Sequence, residues 1–147
     1  MFKIQEENTI ECVAECAALG KLHYDEVESK ADTVPYNINM KTAKLLLDNN
    51  LLSMVAARSD GELVGYIINL IGENFLTSEV EAKEVGIFIR KDHRGGKNFY
   101  KMLKFSQQCL LERGARSQYI MFKAGHDVGL AERMGYEKTE TIYQKIF

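Results

Sequence analysis

Between Lys83 and Leu103 the sequence reads KEVGIFIRKDHRGGKNFYKML: an apolar run, then charge, then two glycines, then a helical pattern. The six residues HRGGKN, His93 to Asn98, stand where a strand hands over to a helix. A glycine-rich handover of this kind presents several backbone N–H groups that have no intrahelical partner, with the helix dipole behind them. Arg94 and Lys97 add positive charge, and Gly95 and Gly96 let a ligand approach the backbone closely. The chemistry open to such a loop is the holding of phosphate oxygens. A generous turn with solvated charges would use the same residues, and these six alone do not separate the two readings.

The familiar nucleotide motifs are missing. There is no G-x-x-x-x-G-K-[ST], which argues against a magnesium–nucleotide loop. There is no G-x-G-x-x-G followed by an acid about 20 residues on, which argues against a dinucleotide site. A diphosphate ligand that needs no metal fits better, and coenzyme A is the leading example.

The elements that must position this loop follow from the pattern on either side. Asn8 to about Glu28 has helical spacing, with Ile10, Val13, Ala14, Ala17 and Ala18 on one stripe and Asn8 or Thr9 as N-cap. Gly20 either breaks or weakens that helix. ADTVPYNINM reads as a loop around the one proline, and a second helix is expected from Asn39 to Leu47. Two apolar runs around SDGE predict a hairpin, because Asp and Gly tolerate the positive φ of a tight turn. A third strand is expected from Val80 to Ile89 and a helix from Asn98 to Arg113. SQYIMFKAG reads as a strand, DVGLAERMG as a short helix and YEKTETIYQKIF as a final strand. The expectation is a single α/β domain over residues 1–147. Its one sheet is mixed and mostly antiparallel, with a central parallel strand pair and about four helices.

Composition narrows the partners. The 147 residues are 46% hydrophobic and 27% charged, which is enough to bury a core without a metal or disulfide staple. A net charge of -2 leaves no excess of cations for a general nucleic-acid binder. The three cysteines, Cys12, Cys16 and Cys109, show no framework spacing and no accompanying ligands, and read as reduced, buried thiols. The N-terminal stretch carries acids where a secretory signal would be basic and then apolar, and no run approaches the roughly 20 apolar residues of a membrane span. A cytoplasmic protein with no metal is expected.

VGIFIRKDHRGGKNFYKMLK, from Val85 to Lys104, resembles motif A of the GNAT superfamily of N-acetyltransferases. AERMGYEKTETIYQKI, from Ala131 to Ile146, is similar to that superfamily's closing segment. The order of elements agrees from about Leu51 onward, and KEVGIFIRKDHRGG is similar to small phage-encoded members. The resemblance implies an acetyl-CoA-dependent transferase acting on a primary amine of a small molecule or protein. Ile87 and Ile89 would offer backbone groups to the pantetheine arm. Arg94 would open the R-x-x-G-x-[GA] signature, and amides from Gly95 and Gly96 through Lys97 and Asn98 to Phe99 would cradle the diphosphate. Lys97 and Phe99 depart from that signature, standing where small residues are expected.

The resemblance also implies Glu84 as general base, with Glu81 second, since acyl transfer requires a neutral amine. Ala131 occupies the place of the tyrosine that protonates the leaving thiolate, so Tyr136 or Tyr143 would have to substitute. At the place of a common Asn the chain has Ala124, with Gly125 and His126 beside it. The acceptor would lie near Tyr24 to Asn39 and the strand from Val80 to Glu84, where Asp25, Glu26 and Glu28 suit a cationic amine or a solvated helix face. Ile142, Tyr143, Ile146 and Phe147 on the expected last strand would cover the sheet edge or pair two chains into a homodimer. Two alternatives remain open at this point. One is a GNAT-fold module without catalysis, and the other is a transferase of longer acyl groups.

Overall fold

A computed structural model of the chain describes residues 1–27, 36–122 and 129–147. Strand β1 (Phe2–Glu6) leads into helices α1 (Ile10–Val27) and α2 (Met40–Asp48), then strands β2 (Leu52–Ser59), β3 (Glu62–Glu73) and β4 (Val80–Ile89). Helix α3 (Asn98–Glu112), strand β5 (Ser117–Tyr119) and helix α4 (Leu130–Arg133) complete the order. The sheet runs β1-β2-β3-β4-β5, antiparallel except for the parallel β4–β5 pair. The fold is the expected mixed α/β sheet.

Both faces of the sheet are covered, so β2 is buried along LSMVAA without alternation. On one face Cys12, Val13 and Cys16 of α1 and Ala43 of α2 pack on Met54, Ala56, Tyr66 and Phe88. On the other, Met102, Leu103 and Cys109 of α3 pack on Val55, Ala57, Val64 and Ile67. All three cysteines are buried and free, as read from their spacing. Burial pushes the Cys109 thiol up to about 12, which leaves it inert at neutral pH.

Local signals worked where chemistry was local. Thr9 caps α1 by accepting the Cys12 N–H at 3.1 Å, and Asn39 caps α2 by accepting that of Thr42. The hairpin turns on Asp60 and Gly61, both at positive φ (50° and 88°), between paired Ser59 and Glu62. Helix α1 runs straight through Gly20. There a Cβ would fall 2.4 Å from the Tyr36 hydroxyl, which donates to the Ala17 carbonyl. The glycine makes room for that ring and breaks nothing.

Three expectations need correction. Strand β1 was not foreseen: FKIQE is short and carries charge, and only its period-2 burial marks it, with Phe2 and Ile4 against the α3-side core. Strand β5 is three residues long, far shorter than the apolar run SQYIMFKAG suggested, although 123–128 lie outside the described residues. Residues 137–147 form no strand, so the parallel pair sits at one edge of the sheet. A strand pattern is realised only against a ladder partner, and YEKTETIYQKIF has none along β5. Its apolar side chains accordingly cover no edge: Ile142, Tyr143, Ile146 and Phe147 are all exposed.

Candidate functional site

Strand β4 is irregular where chemistry is expected. Asn69 of β3 faces Glu84 while Ile68 faces Gly86, so Val85 is one residue too many and bulges out, half exposed. On its other side β4 pairs with β5 only through Glu81, Ala82 and Lys83. From Glu84 onward the two strands part. The Glu84 carboxyl lies at the fork, 6% exposed, and its Oε2 accepts the N–H of Met121 at 3.2 Å.

The fork opens into a cavity of about 910 Å³. Ile87, Phe99, Ile120 and Phe122 form one part of its wall; Val13 and Cys16 of α1, Leu46 of α2, and Met54 and Tyr66 of the sheet form another. The Tyr66 hydroxyl is 2.7 Å from His23 Nδ1, and the His23 ring stacks on Phe88 at 5.0 Å. Burial, first, and then nearby groups that include Glu84 push the Tyr66 hydroxyl's pKa well up, so it stays protonated. Sequence reading missed this tyrosine, because GYIIN in an apolar strand reads as core.

The loop after β4 is braced. A 3₁₀ turn, Lys91–His93, follows Arg90, whose guanidinium binds Asp92 and Glu62. Arg94 donates from Nε to the Ile89 carbonyl at 2.6 Å and from Nη1 to Glu26 at 2.9 Å, and lies over the Phe88 ring at 5.3 Å. Arg94 thus staples the loop to β4 and to the end of α1. It also holds the Glu26 carboxyl below its ordinary range. Glu26, read as an amine attractor, is committed to this contact, and the Ile89 carbonyl is likewise taken. Asp25 pairs with Lys21, and Glu28 lies outside the described residues.

Beyond the staple the loop is open. Gly96 has φ +66, and a Cβ on Gly95 or Gly96 would meet nothing within 4 Å. Lys97 is the N-cap of α3 and offers no side-chain cap, while Asn98 turns its amide back to the His93 carbonyl at 3.1 Å. The N–H groups of the first turn therefore point out without a capping side chain, the arrangement that binds anions. Phe99 packs on the α3-side core and lines the cavity with its remaining surface.

Tyr136 is placed elsewhere. Its hydroxyl donates to Gln118 at 2.6 Å and accepts from Gln107 at 2.8 Å, in a network that continues through Asn69 to Ser106. It lines a separate cavity of about 310 Å³ between α3, β5 and α4, and Glu84 is not among that cavity's lining residues. Tyr143 is almost fully exposed, Ala131 sits in α4, and Glu81 is held by Asn74. Ala124, Gly125 and His126 lie outside the described residues. The fold thus brings Glu84, Ile87 and Phe99 to one cavity and leaves Tyr136 and Tyr143 out of it. Among the described residues no group of three or more His, Cys, Asp or Glu would hold a metal, and no helix is long and apolar enough to cross a membrane.

Neither a family model nor a curated protein sequence matches the chain. Solved structures do. An aminoglycoside acetyltransferase from an uncultured soil metagenomic sample superposes with a TM-score of 0.79 at 14% identity, over 100% of this chain and 99% of that one. A ribosomal-protein-alanine N-acetyltransferase from Brucella melitensis biovar Abortus 2308 gives 0.72 at 20%, over 100% and 99%. A protein described as a predicted acetyltransferase with acetyl-CoA, from Clostridium acetobutylicum, gives 0.76 at 12%, over 99% and 96%. At these identities the likeness is one of fold.

Proposed function

We propose that this chain, which has the GNAT acetyltransferase fold, transfers an acetyl group from acetyl-CoA to a primary amine. One observation carries the reading: the fork between β4 and β5 opens at a buried carboxylate and runs toward the uncapped start of α3. The outward amides from Gly95 to Phe99 would hold the diphosphate. The β4 backbone around Ile87, unpaired on the side of the fork, would lie along the pantetheine arm. The Clostridium relative, described with acetyl-CoA, supports that choice of donor.

Glu84 would take a proton from the incoming amine, directly or through water, so that the nitrogen lone pair is free to attack the thioester carbonyl. The new C–N bond forms as the C–S bond breaks. The nitrogen gives up its second proton to solvent as the amide forms, and with Tyr136 facing the other cavity the departing thiolate takes its one proton from solvent. Holding the amine against the thioester supplies much of the rate by proximity alone. Arg94 acts by bracing the loop.

A second reading has its own support. Lys97 and Phe99 replace small residues of the signature, and Arg94 is already bound to Glu26, so a GNAT-fold binding module without catalysis fits these three positions. Thermal melting of the whole chain with coenzyme A separates the two. A concentration 100 times the dissociation constant should stabilise it by about 2.7 kcal/mol, and no shift at millimolar coenzyme A would favour the module. Two further proposals are a homodimer through the β5 edge, which has no second strand partner among the described residues, read by sedimentation, and a phage-type cytoplasmic role, supported by KEVGIFIRKDHRGG.

A further inference from the structure

We infer that the amine acceptor is a monoamine with an apolar or aromatic body, an inference that rests on the acyl-transfer reading for its reaction. The acceptor side of the large cavity reaches the sheet itself. Its floor includes Cys16, Leu52 and Met54, which are 2%, 6% and 1% exposed. Rings line the wall above: Tyr24 and Tyr36 lie 5.5 Å apart, and His23 and Tyr66 5.9 Å. Among the described residues lining the cavity, Glu84 is the one carboxylate, and there is no lysine or arginine.

That inventory discriminates between acceptors. A polycation brings several ammonium groups, and all but one would leave water for described wall residues that offer no carboxylate besides Glu84. An amine carrying a phosphate would need a cation, and the described lining residues include no lysine or arginine. A peptide would set most of its backbone amides against apolar floor residues such as Leu52, Met54 and Ile68, with Asn39, Thr42 and Gln144 as the amide and aliphatic hydroxyl partners in the described lining. A single amine on an apolar body meets none of these costs. Its nitrogen faces Glu84, its body covers Met54 and Leu52, and the tyrosine faces attract the ammonium as it arrives.

The test uses the whole chain and four probes: 2-phenylethylamine, spermine, glucosamine 6-phosphate and an alanine-starting peptide. Amine binding is read by calorimetry without coenzyme A, and turnover by thiol release from acetyl-CoA. 2-Phenylethylamine should exceed the other three in kcat/KM by about tenfold or more. Thr42 lines the cavity mouth on the exposed side of α2. The substitution Thr42→Glu adds a second carboxylate where a capping box tolerates it. It should raise kcat/KM for 1,4-diaminobutane about tenfold, as one new ion pair worth 1.4 kcal/mol would, and leave 2-phenylethylamine unimproved.

If coenzyme A stabilises the chain but spermine, the phosphosugar or the peptide is the better acceptor, the inference falls and acyl transfer stands. If 2-phenylethylamine binds while coenzyme A does not bind and acetyl-CoA releases no thiol, acyl transfer falls and the apolar amine site stands. A Thr42→Glu chain with unchanged preference between the mono- and diamine would also overturn it.

Discussion

Two residues, Glu84 and Arg94, carry the proposed function, and each has a test of its own. Glu84 is buried at the fork and bonded to the Met121 N–H. As general base it should contribute about 10²–10⁴-fold. Glu84→Gln should therefore lower turnover most where the amine is protonated, and the deficit should shrink as pH rises toward the amine's pKa. A pH–rate profile with equal loss throughout would assign Glu84 to orientation instead. Arg94 holds the Ile89 carbonyl and Glu26. Losing two bonds from a charged donor should cost about 2 kcal/mol after solvent screening at the half-exposed Glu26 end, so Arg94→Ala should shift the urea midpoint downward. A variant as stable as the parent, with weak coenzyme A affinity, would make Arg94 a direct phosphate ligand. The sequence named both residues, but read Arg94 as a free charge because its partner lies 68 positions away.

At the scale of elements, the start of α3 is the decisive feature. Gly96 takes φ +66, which a side chain adopts at a cost of about 1–2 kcal/mol. Gly96→Val should lower stability by about that amount and, on the proposed function, weaken coenzyme A binding further, because the left-handed turn sets the direction of the outward amides. Paired denaturation and calorimetry would check it, and a stability loss with full coenzyme A affinity would exclude the loop from the donor site. The hairpin at Asp60–Gly61 and the cap at Thr9 were legible because each is decided by neighbours in the chain. Strands β1 and β5 and the unpaired last segment were misjudged, since a strand depends on a partner that the segment does not contain.

For the whole molecule, Arg58 joins three elements. From β2 it binds Glu7, just after β1, and Glu15 on α1, with both pairs at 2.7 Å. Arg58 holds both carboxyls below their ordinary 4.5. A depressed carboxyl stabilises the fold fully above its unfolded value and loses that contribution as pH falls through the folded one. Stability should thus be intact above about pH 4.5 and decline below it. Arg58→Met should lower stability at pH 7 by about 1–2 kcal/mol and flatten the acid limb of the curve. Unfolding midpoints between pH 3 and 7 would show whether the two slopes differ; identical slopes would remove Arg58 from the acid response.

From sequence alone came the α/β class, the hairpin and the helix behind HRGGKN, because turns, caps and periodicities are written in adjacent positions; Glu84, Ile87 and Phe99 were candidates by resemblance, and they line one cavity. Tertiary structure alone decided that β4 and β5 part at Glu84, that Arg94 is a brace, that Tyr136 belongs to another cavity, and that Tyr66 and His23 meet. Each of those depends on contacts between residues far apart in the chain, and a local pattern carries no record of which distant group will fill the other half of a hydrogen bond.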